Sequence, residues 1–214
     1  MPASLTASRL AAVGFVACLL VCGLVEADMD NQPITLPDGS VYVGETRNGL
    51  LHGKGKLKWR SGDIYEGSFR AGLMDGIGVY VFQNGERIEG TFKDGTINGR
   101  GKWSSKYGES YEGAFVEGVK SGIGKFAEED GSRYEGHFAD DQYSGNGHYV
   151  GASGDDYRGA FRNGKFHGEG IVLFGDGDKY EGSFIHGEFD GEGKYTFNDG
   201  RTLNGRFRKG RFDE

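Results

Sequence analysis

The sequence predicts an all-β fold: an elongated, single-layer antiparallel array of β-hairpins. Three observations carry this expectation. The pentapeptide YEGSF occurs at Tyr65–Phe69 and again at Tyr180–Phe184, and YEGAF, YEGHF and YRGAF stand between them at a 23-residue step. Glycine supplies 41 of the 214 residues, against a typical share of about 7%. Proline is scarce, at three, while Tyr and Phe contribute 11 and 15, which excludes collagen and a disordered tail alike.

The first segment stands apart. Residues 10–25 read LAAVGFVACLLVCGLV without a charge, after Arg9 and before Glu26 and Asp28. Sixteen apolar residues fall short of the ~20 that a membrane span needs. They suit the core of a secretory signal, with Val25-Glu26-Ala27 as a small-residue cleavage site. Residues 1–27 are therefore expected to be a signal peptide, or else a membrane anchor. The chain would then be secreted, periplasmic or in an endomembrane lumen, or held by a single pass. Both cysteines, Cys18 and Cys22, lie in this run, so disulfides, thiol chemistry and cysteine metal sites are not expected beyond it. Residues 28–41 form a lead-in half repeat.

Residues 42–214 hold the array, seven full units and a partial one. Numbered from 0 at the leading residue, the units start at Tyr42, Tyr65, Ile88, Tyr111, Tyr134, Tyr157, Tyr180 and Leu203. Glycine columns stand at offsets 2, 7, 11, 13 and 20, and all but four of the 41 glycines fall in them. Offset 4 is Phe in every unit except at Thr46. Offsets 0, 2 and 4 share one face of a strand, as do offsets 11, 13, 15 and 17, because side chains alternate. Offsets 18–20, such as Pro37-Asp38-Gly39 and Asn198-Asp199-Gly200, read as a three-residue loop closed by a left-handed glycine. That loop pairs offset 17 with 21 and offset 15 with the next leading residue. It also sets offset 13 opposite offset 2, so rings lie over paired glycines. The other face carries Glu at offset 1 and Lys at offset 14, able to pair across strands.

The pattern Tyr-Glu-Gly-x-Phe-x-x-Gly-x-x-x-Gly-x-Gly resembles the MORN repeat (membrane occupation and recognition nexus). The resemblance runs from Tyr42 to the C-terminus. It implies an antiparallel β-array with an aromatic-lined groove. It also implies a scaffolding role through protein contacts, with homodimerisation and membrane or phosphoinositide association in some members. The repeats occupy the chain from Tyr42 onward, so no attached catalytic domain is expected. Unit 5 departs most, with Asp140-Asp141-Gln142-Tyr143 at the turn and Gly151 at offset 17.

Other chemistry finds little support. His52 and His167 are polar turn residues, and His137, His148 and His186 lack metal-ligand spacing. Asp176-Gly177-Asp178 lacks the length and closing Glu of a calcium loop. The Gly-x-Gly pairs open no helix, as a phosphate loop would. No catalytic residue, cofactor or metal is expected. The net charge is −7 without a basic stripe, which argues against nucleic acid. The expected function is a non-enzymatic protein-interaction scaffold, exported or membrane-associated; the alternative is a peripheral phospholipid-binding module. Candidate partner-binding residues are Tyr143, Phe166, Phe189 and Phe212 at offset 9, with Tyr80, Trp103 and Tyr195 at offset 15.

Overall fold

A computed structural model describes residues 32–213. The expected leader at 1–27 and the start of the lead-in lie outside the described residues. These contain seventeen strands and no helix, an all-β hairpin repeat array. The chain divides into two units at Val119/Lys120.

In the first unit, β1 (Ile34–Thr35), β2 (Val41–Arg47), β3 (Leu50–Lys58), β4 (Ile64–Arg70), β5 (Leu73–Val81), β6 (Arg87–Lys93), β7 (Thr96–Ser104) and β8 (Ser110–Val116) follow one another. Each pairs antiparallel with its chain neighbour. The second unit holds β9 (Val119–Ala127), β10 (Arg133–Ala139), β11 (Gln142–Val150), β12 (Asp156–Arg162), β13 (Lys165–Leu173), β14 (Lys179–Ile185), β15 (Glu188–Thr196), β16 (Thr202–Arg208) and β17 (Arg211–Phe212), paired in the same way.

The expected register holds. Gly55 faces Gly67 and Leu57 faces Tyr65, which are the offset pairs 13–2 and 15–0. Trp59 N–H donates to the Asp63 carbonyl at 3.0 Å, closing a three-residue loop in which Gly62 has φ 97°. Only glycine takes that angle without penalty. The other end of each hairpin is a two-residue turn with both residues at positive φ, as at Asn48 and Gly49. This mirror-image turn matches strand twist. Asp141 replaces the usual glycine there with φ 63°, and its carboxylate accepts the Lys120 amide at 2.9 Å. The turn of unit 5 is thus kept.

Side-chain alternation alone does not reveal a bulge that recurs in both units. Gly67 faces Gly78 and Phe69 faces Met74, so Asp75, Gly76 and Ile77 oppose Ser68 alone. The bulge opens the ladder opposite offset 3. There the Tyr hydroxyl at offset 0 donates to the offset-3 carbonyl: Tyr65 to Ser68 at 3.1 Å, Tyr157 to Ala160 at 2.8 Å, Tyr180 to Ser183 at 3.1 Å. A buried carbonyl needs such a partner.

The core is a layer of rings on one face. Tyr65, Tyr157 and Tyr180 are buried. Each ring lies over two glycines: a Cβ on Gly170 would sit 2.5 Å from the Tyr157 hydroxyl. Phenylalanines grip the ring edge-on, Phe161 at 5.1 Å and Phe184 at 5.2 Å from Tyr157. Such T-shaped pairs suit the ring quadrupole. In the third repeat Ile88 replaces Tyr, and the Ile97 methyl occupies the space above Gly101 instead. The opposite face carries the expected charge ladder, with Lys56–Glu66 at 3.1 Å and Lys102–Glu112 at 3.2 Å, both exposed.

Candidate functional site

The ring layer of residues 120–213 has a second storey. At offset 9, Tyr143 stacks on Tyr134 at 3.8 Å and 15°, Phe166 on Tyr157 at 3.7 Å and 9°, and Phe189 on Tyr180 at 3.8 Å and 13°. Phe212 meets Phe207 edge-on at 5.2 Å. The glycine floor lets Tyr lie flat, and the flat Tyr gives the offset-9 ring a platform. All four offset-9 rings are half-buried. At the same register in residues 32–119 stand Leu51, Met74 and Ile97, all buried.

The offset-15 candidates separate. Tyr80 and Trp103 are buried. Tyr195 is half-buried and lies beside Phe197 at 4.9 Å and Phe174 at 6.1 Å. Phe174 and Phe197, both half-buried, and Tyr149, 6.2 Å from Phe166, extend the surface beyond the candidates read from the sequence. Tyr149 belongs to the offset-15 column, and Phe174 and Phe197 to the offset-17 column, which reads Trp59, Phe82, Ser105, Glu128, Gly151, Phe174, Phe197. Gly151 leaves that position without a side chain, with only ordinary contacts around it.

The surface is edged by carboxylates. The Tyr195 hydroxyl donates to Asp178. Its pKa is pushed up to about 12, first by burial and then by Asp178. The Tyr143 hydroxyl donates to Glu128 at 2.9 Å, and burial, followed by that carboxylate, drives it well above the ordinary tyrosine range. Asp178 also accepts the Asn198 amide at 2.8 Å, tying one three-residue loop to the next. Beside Tyr143 a shallow depression is lined by Ala139, Asp140, Gln142, Ser144 and Asn163. Among the described residues, no three His, Cys, Asp or Glu side chains come together to hold a metal. His167 and His186 do approach, with rings 5.9 Å apart, which their different offsets did not announce.

No curated protein matches the chain. Among solved structures it is similar to the TCP domain of SAS-4 (dCPAP) of Drosophila melanogaster in complex with a proline-rich motif of Ana2 (dSTIL). The identity is 15% over 74% of this chain and 94% of that one, with a TM-score of 0.38. It is also similar to the TCP10 domain of Danio rerio CPAP in complex with a peptide of Danio rerio STIL, at 15% identity, 82% and 98% coverage and a TM-score of 0.35. The MORN repeat model matches residues 42–64, 65–87, 89–106, 111–133, 134–156, 157–179 and 180–200. These matches keep the phase of the glycine floor and Tyr column, and they cover more than half of the sequence: the chain belongs to the MORN-repeat family.

Proposed function

We propose that the chain is a non-enzymatic interaction scaffold, exported or membrane-anchored through its N-terminal apolar segment, which holds a segment of a protein partner against the aromatic face of residues 120–213. One observation carries this reading. Phe166 and Phe189 are only half-buried, whereas Leu51, Met74 and Ile97 at the matching offset-9 positions of 32–119 are closed over by the fold; Tyr195 is half-buried where Tyr80 and Trp103 are buried, and Phe174 and Phe197 are half-buried as Trp59 and Phe82 are at offset 17 of 32–119. A run of partly open rings of this kind offers apolar surface to a partner. Every ring also belongs to a periodic series with a structural role, which leaves none singled out for turnover. A photo-crosslinking residue at Phe174 or Phe189 tests it. A discrete adduct is expected in the native compartment, and none from the same residue at buried Trp103. Absence of an adduct at both outer positions refutes the proposal.

A peripheral membrane role is the second reading, favoured by Arg201, Arg206, Arg208, Lys209 and Arg211 near the C-terminus. Flotation of the full chain with anionic liposomes, lost at high salt and on replacing these residues, would support it. No flotation would dismiss it.

A further inference from the structure

The aromatic face of residues 120–213 has a direction, a spacing and a charge. Half-buried rings recur at offset 9 in successive repeats, Tyr143, Phe166, Phe189 and Phe212, and at offset 17 in two, Phe174 and Phe197; Tyr149 and Tyr195 stand at offset 15 with buried Val172 between them. One repeat advances by two strands, ~9.6 Å at ~4.8 Å per strand. A polyproline II helix repeats every three residues, ~9.3 Å at ~3.1 Å per residue. A ligand in that conformation would therefore set an equivalent residue over each successive repeat. Sheet twist, roughly 20–25° between neighbouring strands, limits such a match to a few repeats.

Charge separates the two ends of the strands. The three-residue loops beside the offset-15 and offset-17 rings carry Glu129, Asp130, Asp176 and Asp199, and Glu128, Asp155 and Asp178 flank them, with Arg201, Arg133 and Lys179 as the opposing charges. Arg201 is already paired with Asp199 at 2.7 Å. The two-residue turns at the other end, with the residues beside them, carry Arg162, Lys165, Arg208, Lys209 and Arg211 against Asp140, Asp141 and Glu188, so that end is the less acidic. A ligand lying along the outer rings meets the acidic edge.

We infer that the outer aromatic rank of residues 120–213, edged by its acidic loops, binds a proline-rich segment bearing Lys or Arg in polyproline II conformation, in step with the repeats. This rests on the scaffold reading above and names its ligand class. Preformed polyproline II loses little entropy on docking to aromatic slots, and the carboxylates select basic residues between the prolines.

The test is fluorescence-anisotropy titration of the full chain with synthetic peptides of about four polyproline turns, ~12 residues. The peptides are repeated Pro-Pro-Arg, repeated Pro-Pro-Glu and repeated Gly-Ser-Arg, at ~0.15 M salt. Pro-Pro-Arg should bind at least about tenfold more tightly than either control. Phe174→Ala and Tyr195→Ala should each weaken it about fivefold or more with the β-sheet circular dichroism intact. Ile77→Ser, in the other unit, should leave it unchanged. Equal binding of Gly-Ser-Arg would reduce the effect to charge attraction and overturn the inference. So would wild-type affinity in folded Phe174→Ala, or no binding of Pro-Pro-Arg. A crosslink at Phe174 to a native partner without Pro-Pro-Arg binding would sink the ligand class alone. Loss of both would sink the scaffold reading too.

Discussion

Gly170→Ala is the sharpest probe of the ring-over-glycine design. A methyl there would stand 2.5 Å from the Tyr157 hydroxyl, 2.6 Å from Cε2 and 2.7 Å from Cζ. Carbon contacts settle near 3.5–4 Å, so the ring must lift by roughly 1 Å. It has nowhere to go, because Phe166 is stacked above it at 3.7 Å and its hydroxyl is bonded to the Ala160 carbonyl at 2.8 Å. Overpacking costs about 1–3 kcal/mol and the disturbed hydrogen bond about 1. The lower entropy of the unfolded alanine chain returns about 0.5–1, leaving a net loss near 2 kcal/mol. Tyr157→Phe alone strands the Ala160 carbonyl and should cost about 1–2 kcal/mol. The double variant loses that bond once and removes the shortest of the three contacts. It should fall short of the sum by about 1 kcal/mol. Denaturant unfolding gives the totals. Amide exchange in β12 to β15 localises them, since repeat arrays need not unfold in two states. A Gly170→Ala protein as stable as its parent, with unchanged exchange, would refute the claim that a ring rests on that glycine.

Gly131→Ala isolates the backbone effect: φ is 92° with nothing within 4 Å, so about 1–2 kcal/mol should be lost without coupling to any Tyr. Ile88→Tyr should destabilise by about 1–3 kcal/mol, because Ile97 already fills the space over Gly101, and adding Ile97→Met, the Met74 arrangement, should recover most of it in the same unfolding assay. Glu66→Gln breaks an exposed pair with Lys56 and should change stability by less than about 1 kcal/mol, shrinking further in salt. Alkali should unfold the protein. Burial pushes Tyr42, Tyr134, Tyr157 and Tyr180 up to about 12, while an unfolded tyrosine ionises near 10. The unfolded chain therefore releases protons first, and stability that is full below pH ~10 falls as pH rises towards ~12. Tyrosinate absorbance should rise together with loss of the β-sheet circular dichroism; a smooth titration near pH 10 with the fold intact would contradict it.

The strands, the loops and the pairing of Gly55 with Gly67 were legible because each follows from a local rule repeated in phase. Alternation fixes the face, and glycine at offset 20 fixes the loop. The bulge opposite Ser68 was legible only in part: the glycine at its centre, Gly76 with φ 110°, belongs to the offset-11 column, but alternation assigned that column to the ring face of a regular strand. Its trace is the difference between a seven-residue β4 and a nine-residue β5, which appears only once the strand ends are known. The tyrosine hydroxyls gave the same difficulty. Six leading tyrosines read as rings that cover glycine, and Phe would serve that purpose equally. The choice of Tyr makes sense only against the carbonyls that the bulge leaves to be satisfied.

Exposure at the candidate site depends on what lies above and below each ring, and a column of aromatic letters does not encode that. Tyr80 and Tyr195 share offset 15, yet one is buried and the other half-buried. The offset-9 aromatics admitted two readings, an outer ridge or part of the ribbon. Phe166 and Phe189 are both at once, stacked by one face on Tyr157 and Tyr180 and only half-buried. This duality bears on recognition. A free surface phenylalanine loses rotamer freedom when a partner binds, at a cost of about 0.5–1.5 kcal/mol per immobilised side chain. A ring already clamped within 15° of a buried tyrosine has lost that freedom on folding. The repeat thus supplies a row of aromatic contacts whose ordering cost was met by the fold, and affinity for an extended ligand can accumulate repeat by repeat.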